Sequence, residues 1–489
     1  MIHVICKSEA YTYNVYHIIK AFFPSEKITS ETEEEASHYV VVRLPDGGRM
    51  MIGEGQLKEA AGLRKGEDSE QIKAQRKYWI DVCLYEELKK LTGQTLAWGI
   101  LTGVRPTKIA MEKLEEGWER DRFVAWFQEE CRVSQKKAEL SFEIAGRERS
   151  LLGELDCENG YSLYVGIPFC PSVCTYCSFS SGALSDWSGR IWDYLAALES
   201  ELEFIGERCR GRKLNTIYMG GGTPTTLTAE QLEDLLSCID RHFSREHLLE
   251  YTVEAGRPDS ITKEKLMVLK AHGVTRISIN PQSMQQKTLD RIGRRHRVEE
   301  IVEAYELARR MGFDNINMDL IAGLPGESPA DMADTLTKIR RLGPDSLTVH
   351  SLAIKRAAKM EFSDLEADVK ETSRALSEMI GMAEETARKM GLLPYYLYRQ
   401  KNIAGNFENV GYAREGRAGI YNVLIMEEKQ SIIAAGAGAS TKLVLKEAVV
   451  VTGSKKKKMT RLLRIENVKD VAQYIERIDE MIGRKEAIL

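Results

Sequence analysis

The sequence predicts an α/β protein: an open, partial (β/α)6 barrel of the TIM type, with an N-terminal α+β domain before it and a C-terminal α+β extension after it. Two observations carry this. Between Tyr161 and Met390 short apolar runs alternate with amphipathic segments, and each amphipathic segment can serve as the crossover that parallel strands require. The chain of 489 residues is also too long for one ordinary domain, so flanking units are expected. Six units rather than eight imply a barrel that does not close. The expected boundaries are 1–155 for the N-terminal domain with a helical linker, 156–392 for the barrel, and 393–489 for a region covering the substrate.

The elements follow in order. Ile2–Cys6 reads as a short strand and Ala10–Phe23 as a helix. Tyr39–Leu44 and Arg49–Ile52 flank Pro45-Asp46-Gly47-Gly48 as a hairpin with a longer turn. Residues 71–95 and 106–150 read as helical, interrupted at Gly103-Val104-Arg105-Pro106-Thr107. The six barrel strands are expected at Leu163–Ile167, Thr216–Met219, Tyr251–Glu254, Arg276–Asn280, Ile316–Ile321 and Ser346–Leu352. Helices fit between and after them at Ile191–Arg208, Ala229–His242, Lys263–His272, Val298–Met311, Pro329–Arg341 and Glu371–Met390. In the first of these Ile191, Leu195, Leu198, Leu202 and Ile205 recur at steps of four and three, which lines one helical face. From Tyr395 the pattern is irregular, ending in strands and a helix near Val468–Ile482. Lys455–Lys458 reads as a solvated turn.

Composition narrows the function. Lys and Arg number 69 against 73 Asp and Glu, so there is no basic excess of the kind a nucleic-acid binder carries. No apolar run reaches the roughly 18 residues of a membrane span, and the N-terminus lacks a secretory pattern. A cytoplasmic location is expected, and with it reduced cysteines. Of nine cysteines, Cys6, Cys83, Cys131, Cys157, Cys209 and Cys238 are scattered and read as small buried hydrophobes.

Cys170, Cys174 and Cys177 are different, for they fall within eight residues just after the first barrel strand. Chemistry in such barrels sits at the C-terminal strand ends. Soft thiolates select zinc, Cu(I) or iron–sulfur clusters. A structural zinc, the alternative reading, wants four ligands, often as two close pairs, and no second pair lies nearby. A complete [4Fe–4S] site also wants four. Three ligands in one loop leave a metal position open, which suits a catalytic cluster.

CxxxCxxC in this setting resembles the radical S-adenosylmethionine (SAM) enzymes. The flanks, Tyr164-Val-Gly-Ile-Pro-Phe-Cys170 and Gly220-Gly-Gly-Thr-Pro-Thr225, resemble the oxygen-independent coproporphyrinogen III oxidase group. Leu101-Thr-Gly-Val-Arg-Pro-Thr-Lys108 and Gln400-Lys-Asn-Ile-Ala-Gly-Asn-Phe-Glu-Asn-Val-Gly411 are similar to its HemZ (coproporphyrinogen dehydrogenase) branch. The resemblance implies a radical SAM barrel holding a [4Fe–4S] cluster and SAM. It implies Cys170, Cys174 and Cys177 as metal ligands, and Tyr164 and Tyr176 beside SAM and the cluster. Gly221, Gly222, Thr223, Glu254, Gln282, Arg294, Asp319 and Ala353 are the further implied SAM contacts. Asp319 fits the ribose, since two carboxylate oxygens can accept from both hydroxyls. Read structurally instead, Glu254 is a loop or capping charge and Asp319 a satisfied core residue.

The implied reaction is anaerobic oxidative decarboxylation of two propionates of coproporphyrinogen III, or a related tetrapyrrole, in porphyrin and heme biosynthesis. An electron donor such as a flavodoxin or ferredoxin is implied as partner. Arg399, Lys401, Arg414 and Arg417 are candidates for the substrate carboxylates, or else plain surface charges. The family's oxidases often carry His where this chain has Gly166, and a further Cys where it has Phe179. Its chaperone members carry His where Ser440 stands. The alternatives are a heme-binding chaperone of the same fold or another radical SAM enzyme acting on tetrapyrroles. An RNA-modifying enzyme fits poorly with the balanced charge.

Overall fold

The computed structural model describes residues 1–62, 69–103, 105–177, 181–352, 369–399, 407–452 and 457–489. The N-terminal unit opens with strand β1 (Ile2–Cys6) and the helix Glu9–Phe22, whose Val15, Ile18, Ile19 and Phe22 bury against the sheet. Ser8 caps that helix, its hydroxyl accepting from the Ala10 amide at 3.3 Å. Strand β2 (Ile28–Thr32) then pairs parallel with β1, and β3 (Val40–Arg43) and β4 (Arg49–Ile52) form the expected hairpin, in the order β2-β1-β3-β4. β2 escaped the sequence reading because its Ile-Thr-Ser-Glu-Thr is mostly exposed and carries no apolar alternation. The linker forms helices Arg76–Thr92, Thr107–Glu115, Arg120–Cys131 and Gln135–Gly153.

The second unit is a mixed sheet, eleven-stranded among the described residues. Its strands in chain order are β5 (Gly160–Ile167), β8 (Lys213–Gly221), β9 (Glu250–Glu254), β10 (Arg276–Ser278), β11 (Ile316–Ala322), β12 (Ser346–Ser351), β13 (Leu393–Arg399), β14 (Glu408–Ala413), β15 (Ser431–Ala435), β16 (Ser440–Thr452) and β17 (Lys457–Glu466). A separate two-residue pair, β6 (Phe169–Cys170) with β7 (Gly182–Ala183), lies just beyond β5. The six expected strands stand side by side and parallel as β5-β8-β9-β10-β11-β12. Both flanks were unexpected. β15 extends the parallel set beyond β5, and β14 closes the other side antiparallel to β12. The reading of Tyr395 onward as irregular is corrected: it is strand β13, paired antiparallel with β14.

Alternation explains which side chains face the helices. Leu163, Val165 and Ile167 of β5 and Ile217 and Met219 of β8 are fully buried beneath them. The first helix covers that layer with the expected Ile191, Leu195, Leu198, Leu202 and Ile205. The other face carries Ser162, Tyr164, Gly166, Thr216, Tyr218 and Gly220, and the site is found on that side. Local signals set the crossover helices. Thr228 and Gln231 form a capping box at one, and Ser328 with Asp331 at another that also carries Pro329 at its start and left-handed Gly343 at its end.

The C-terminal helix expected near Val468–Ile482 is two helices, Val471–Glu476 and Ile478–Glu486. They dock on the first crossover helix through a buried carboxylate. Glu201 accepts from Lys485, Asn467, the Tyr474 hydroxyl and the Gly436 amide. Lys455 and Lys456 lie outside the described residues, whereas Lys457 and Lys458, expected in the same turn, begin β17 and pair with Thr452 and Val451 of β16. No described helix is long and apolar enough to cross a membrane.

Candidate functional site

The cysteine loop leaves β5 at its C-terminal end and is held from three sides. From β8, the Gly222 amide donates to Ile167 O and the Thr223 amide to Phe169 O, both at 2.7 Å. A Cβ on Gly222 would lie 2.5 Å from Phe169 O, so only glycine lets the Gly-Gly-Gly-Thr motif lie so close. From the loop beyond β10, Ile292 O accepts from the Thr175 amide at 3.1 Å and Gly293 O from the Ser172 hydroxyl at 3.2 Å. From the loop after β9, the Arg257 guanidinium donates to Ser172 O and Oγ at 3.1 and 2.9 Å. All three thiols are free of disulfides. Burial pushes the Cys170 thiol up, while the Thr223 hydroxyl and the Arg257 charge pull the other way.

Beside the loop, the strand ends bring together most of the expected contacts. The Tyr218 hydroxyl donates to Glu254 at 2.5 Å. Burial raises Glu254 to about 7, aided by the Asp319 charge and opposed by hydrogen bonds from Tyr218 and the Gly221 amide. Asp319 accepts from Asn317 at 2.7 Å, and His350 Nε2 lies 3.8 Å from its other oxygen. Although burial pushes the Asp319 carboxyl up, those two partners hold it below the usual range. It is therefore ionised at neutral pH and fit to accept hydroxyl protons. Gln282 has φ of +64°, a left-handed backbone that a long side chain adopts at some strain. Its backbone amide donates to Asp319 O at 2.9 Å, yet its buried side-chain carbonyl has no partner among the described residues. Arg294 is buried, donates to Asn280 O, and reaches the Tyr176 hydroxyl at 3.4 Å. Tyr164 stacks in register with Tyr218, ring centroids 6.2 Å apart.

These features fit a bound ligand of SAM's kind. Gly166 and Gly220 stand opposite each other in register, and Gly220 makes room for Glu254: a Cβ there would lie 2.9 Å from the Glu254 carboxyl carbon. The orphaned Gln282 carbonyl supplies an acceptor that nothing among the described residues satisfies. No group of three or more His, Cys, Asp or Glu among the described residues could hold a single metal ion. A cluster asks something different of its thiolates, since each binds its own iron.

Several expectations shift. Gly222 and Thr223 have committed their amide hydrogens to the cysteine loop, so a ligand could use only the Thr223 hydroxyl or the carbonyls there. Arg399 is not a surface charge. It is buried and donates to Leu101 O and Gly103 O at 2.9 and 3.2 Å, pinning the linker. Arg414 and Arg417 pair with Asp345 and Asp314 at the opposite edge of the sheet, ahead of β12 and β11, which removes them from the site. Ala353, Phe179 and Lys401 lie outside the described residues. Five of the six scattered cysteines are buried, while Cys157 is half-buried. Missed altogether were Tyr218, Arg257, His296 and His350. Only the inward phase of Tyr218 and His350 on their strands could have flagged them.

Residues 164–339 match the radical SAM superfamily. The chain is 42% identical over 402 residues to the oxygen-independent coproporphyrinogen-III oxidase-like protein HemZ of Bacillus subtilis, covering 81% of this chain and 78% of that one. It is 37% identical over 195 residues to the heme chaperone HemW of the same organism, covering 40% of this chain and about half, 51%, of HemW. Among solved structures, Escherichia coli coproporphyrinogen III oxidase, HemN, described as a radical SAM enzyme, shares the fold. It aligns with a TM-score of 0.52 at 24% identity over 66% of this chain and 70% of its own.

Proposed function

The chain belongs to the radical SAM superfamily, in the family of the oxygen-independent coproporphyrinogen-III oxidase-like protein HemZ, and on that premise we propose that it oxidatively decarboxylates propionates of a coproporphyrinogen-type tetrapyrrole without oxygen. The observation that carries the reading is the cysteine loop set against a Gln282 carbonyl unpaired among the described residues and the Glu254 and Asp319 carboxylates, all at one end of the parallel strands of the mixed sheet. The family implies a [4Fe–4S] cluster and SAM. When bound, they would supply an adenosyl radical able to take a hydrogen atom from a propionate side chain.

The chain's own residues then have separable tasks. Cys170, Cys174 and Cys177 would hold the cluster and leave one iron for SAM. Glu254, ionised, would accept from the SAM ammonium, with Tyr218 fixing its orientation. Asp319 would hold the ribose, and the Gln282 carbonyl and Arg294 would complete the cradle. The stacked Tyr164 and Tyr218 would shield the reacting carbon from water.

A second reading, heme chaperone, draws on the similarity to HemW over 195 residues. Ser440 in place of the chaperones' His argues against it. An anaerobic assay decides. Reconstituted protein with SAM, reductant and coproporphyrinogen III should form protoporphyrinogen with 5′-deoxyadenosine in stoichiometric amounts. Uncoupled SAM cleavage with tight heme binding and no decarboxylation would favour the chaperone and reject the enzyme.

A further inference from the structure

We infer that buried Arg257 and partly exposed Asp259 form a dipole behind the cysteine loop, positioning residues that hold the loop and raise the reduction potential of the cluster it carries. The inference rests on the proposed cluster and adds to it two residues outside the cysteine motif.

The geometry is specific. Arg257 is 3% exposed and sits in the turn after β9. One terminal nitrogen donates twice to Ser172, to O at 3.1 Å and to Oγ at 2.9 Å. Ser172 lies midway between Cys170 and Cys174. Its hydroxyl passes the chain of donors on to Gly293 O, so one guanidinium ties the turns after β9 and β10 to the cysteine loop. The remaining donors grip Asp259 as a fork, Nε to Oδ1 at 2.9 Å and Nη2 to Oδ2 at 2.6 Å. His296 lies behind the pair, its ring fully buried, Nδ1 3.8 Å from Asp259. Burial and the neighbouring Arg294 charge hold His296 down at about 4, so it stays neutral and adds no charge of its own.

The arrangement has a polarity. The guanidinium donates to Ser172, two residues from both Cys170 and Cys174; the carboxylate is held by its other nitrogens and lies partly in solvent. Reducing an iron–sulfur cluster adds negative charge, and cluster potentials respond to nearby charge and hydrogen bonding. A cation on the near side favours the reduced form, and the anion behind it moderates that effect. A plain structural staple would share the hydrogen bonds but not the sign.

Two variants separate these roles, read without SAM turnover. Arg257→Met and Asp259→Asn are reconstituted anaerobically, iron and sulfide per chain are measured, and the cluster is titrated with EPR detection. The expected result is a potential below wild type for R257M and above wild type for D259N. Shifts in the same direction, or none in either variant, overturn the inference. Should R257M fail to hold a cluster, D259N decides alone: a higher potential supports the dipole, and an unchanged or lower one rejects it. A wild-type protein that builds no [4Fe–4S] cluster rejects the proposed function and this inference together. Wild type with a cluster and unmoved potentials rejects the inference only.

Discussion

Glu254 sits between opposing pulls. Burial and Asp319 favour its neutral form, whereas Tyr218 and the Gly221 amide favour the ion, and the balance falls at about 7. Because the folded value lies above the ordinary carboxyl value of about 4.3, the native chain binds the extra proton between those limits. Stability from this group therefore falls as pH rises from about 4 to about 7. Glu254→Gln should raise the melting temperature of ligand-free protein at pH 8, and the gain should vanish near pH 4. A gain independent of pH would contradict the assignment. Tyr218→Phe removes a hydrogen bond to the charged form, worth about 1.5–3 kcal/mol. It should weaken SAM binding about tenfold or more at pH 7 and recover toward wild type by pH 9 in titrations of reconstituted protein. The cysteine triplet was legible because three thiols at that spacing have few other uses. Gln282 and Asp319 came only through resemblance, and Arg257 not at all. A lone Arg beside a Pro carries no signal until the fold brings Ser172 to it.

At the scale of elements, the C-terminal segments complete and brace the sheet. The helix Ile420–Glu427 is capped by the buried Glu250 of β9, which accepts from the Ile420 and Tyr421 amides at 2.6 and 3.3 Å. The Tyr421 ring then stacks on Tyr218 at 4.4 Å and faces Tyr164 at 6.3 Å. Tyr421→Ala should cost about 3–5 kcal/mol, as expected for a buried aromatic ring, measured by denaturant unfolding. The linker is pinned similarly. Arg399 holds Leu101 and Gly103, and Arg105 pairs with Glu428 at 2.8 Å and donates to Met426 O. Arg399→Ala should destabilise by about 2–3 kcal/mol, since two carbonyls lose their donor, with faster hydrogen exchange around residues 99–103. Unchanged exchange there would show that the linker is held elsewhere. The crossover helices were readable almost to the residue, because caps and a 3.6-residue apolar period mark both ends and face. β2 and β13 were not. One is polar and exposed, and the other is a tyrosine run whose Tyr396 ring lies over Gly411 of the neighbouring strand.

At the scale of the molecule, one sheet joins a parallel set to antiparallel flanks, and buried polar hubs lock the flanks on. Glu201 and Lys485 are both essentially inaccessible. Lys485→Met should cost about 3–5 kcal/mol in denaturant unfolding by leaving the Glu201 charge buried without its counter-ion, and adding Glu201→Leu should not restore the loss, because Asn467, Tyr474 and the Gly436 amide would then lose their acceptor. Six parallel strands in series were foreseeable from alternation. The addition of β15 beside β5 was not, because that pairing joins residues some 270 positions apart in the chain, and nothing local specifies it. The central claim is that three thiols hold a cluster with one iron left for SAM. Electron-nuclear double resonance on the reduced, reconstituted protein with 15N-labelled SAM tests it most directly. A nitrogen coupling at the cluster is expected, lost together with the cluster when Cys170, Cys174 or Cys177 is changed to Ser. A reduced cluster whose spectrum shows no coupling to bound SAM would contradict it.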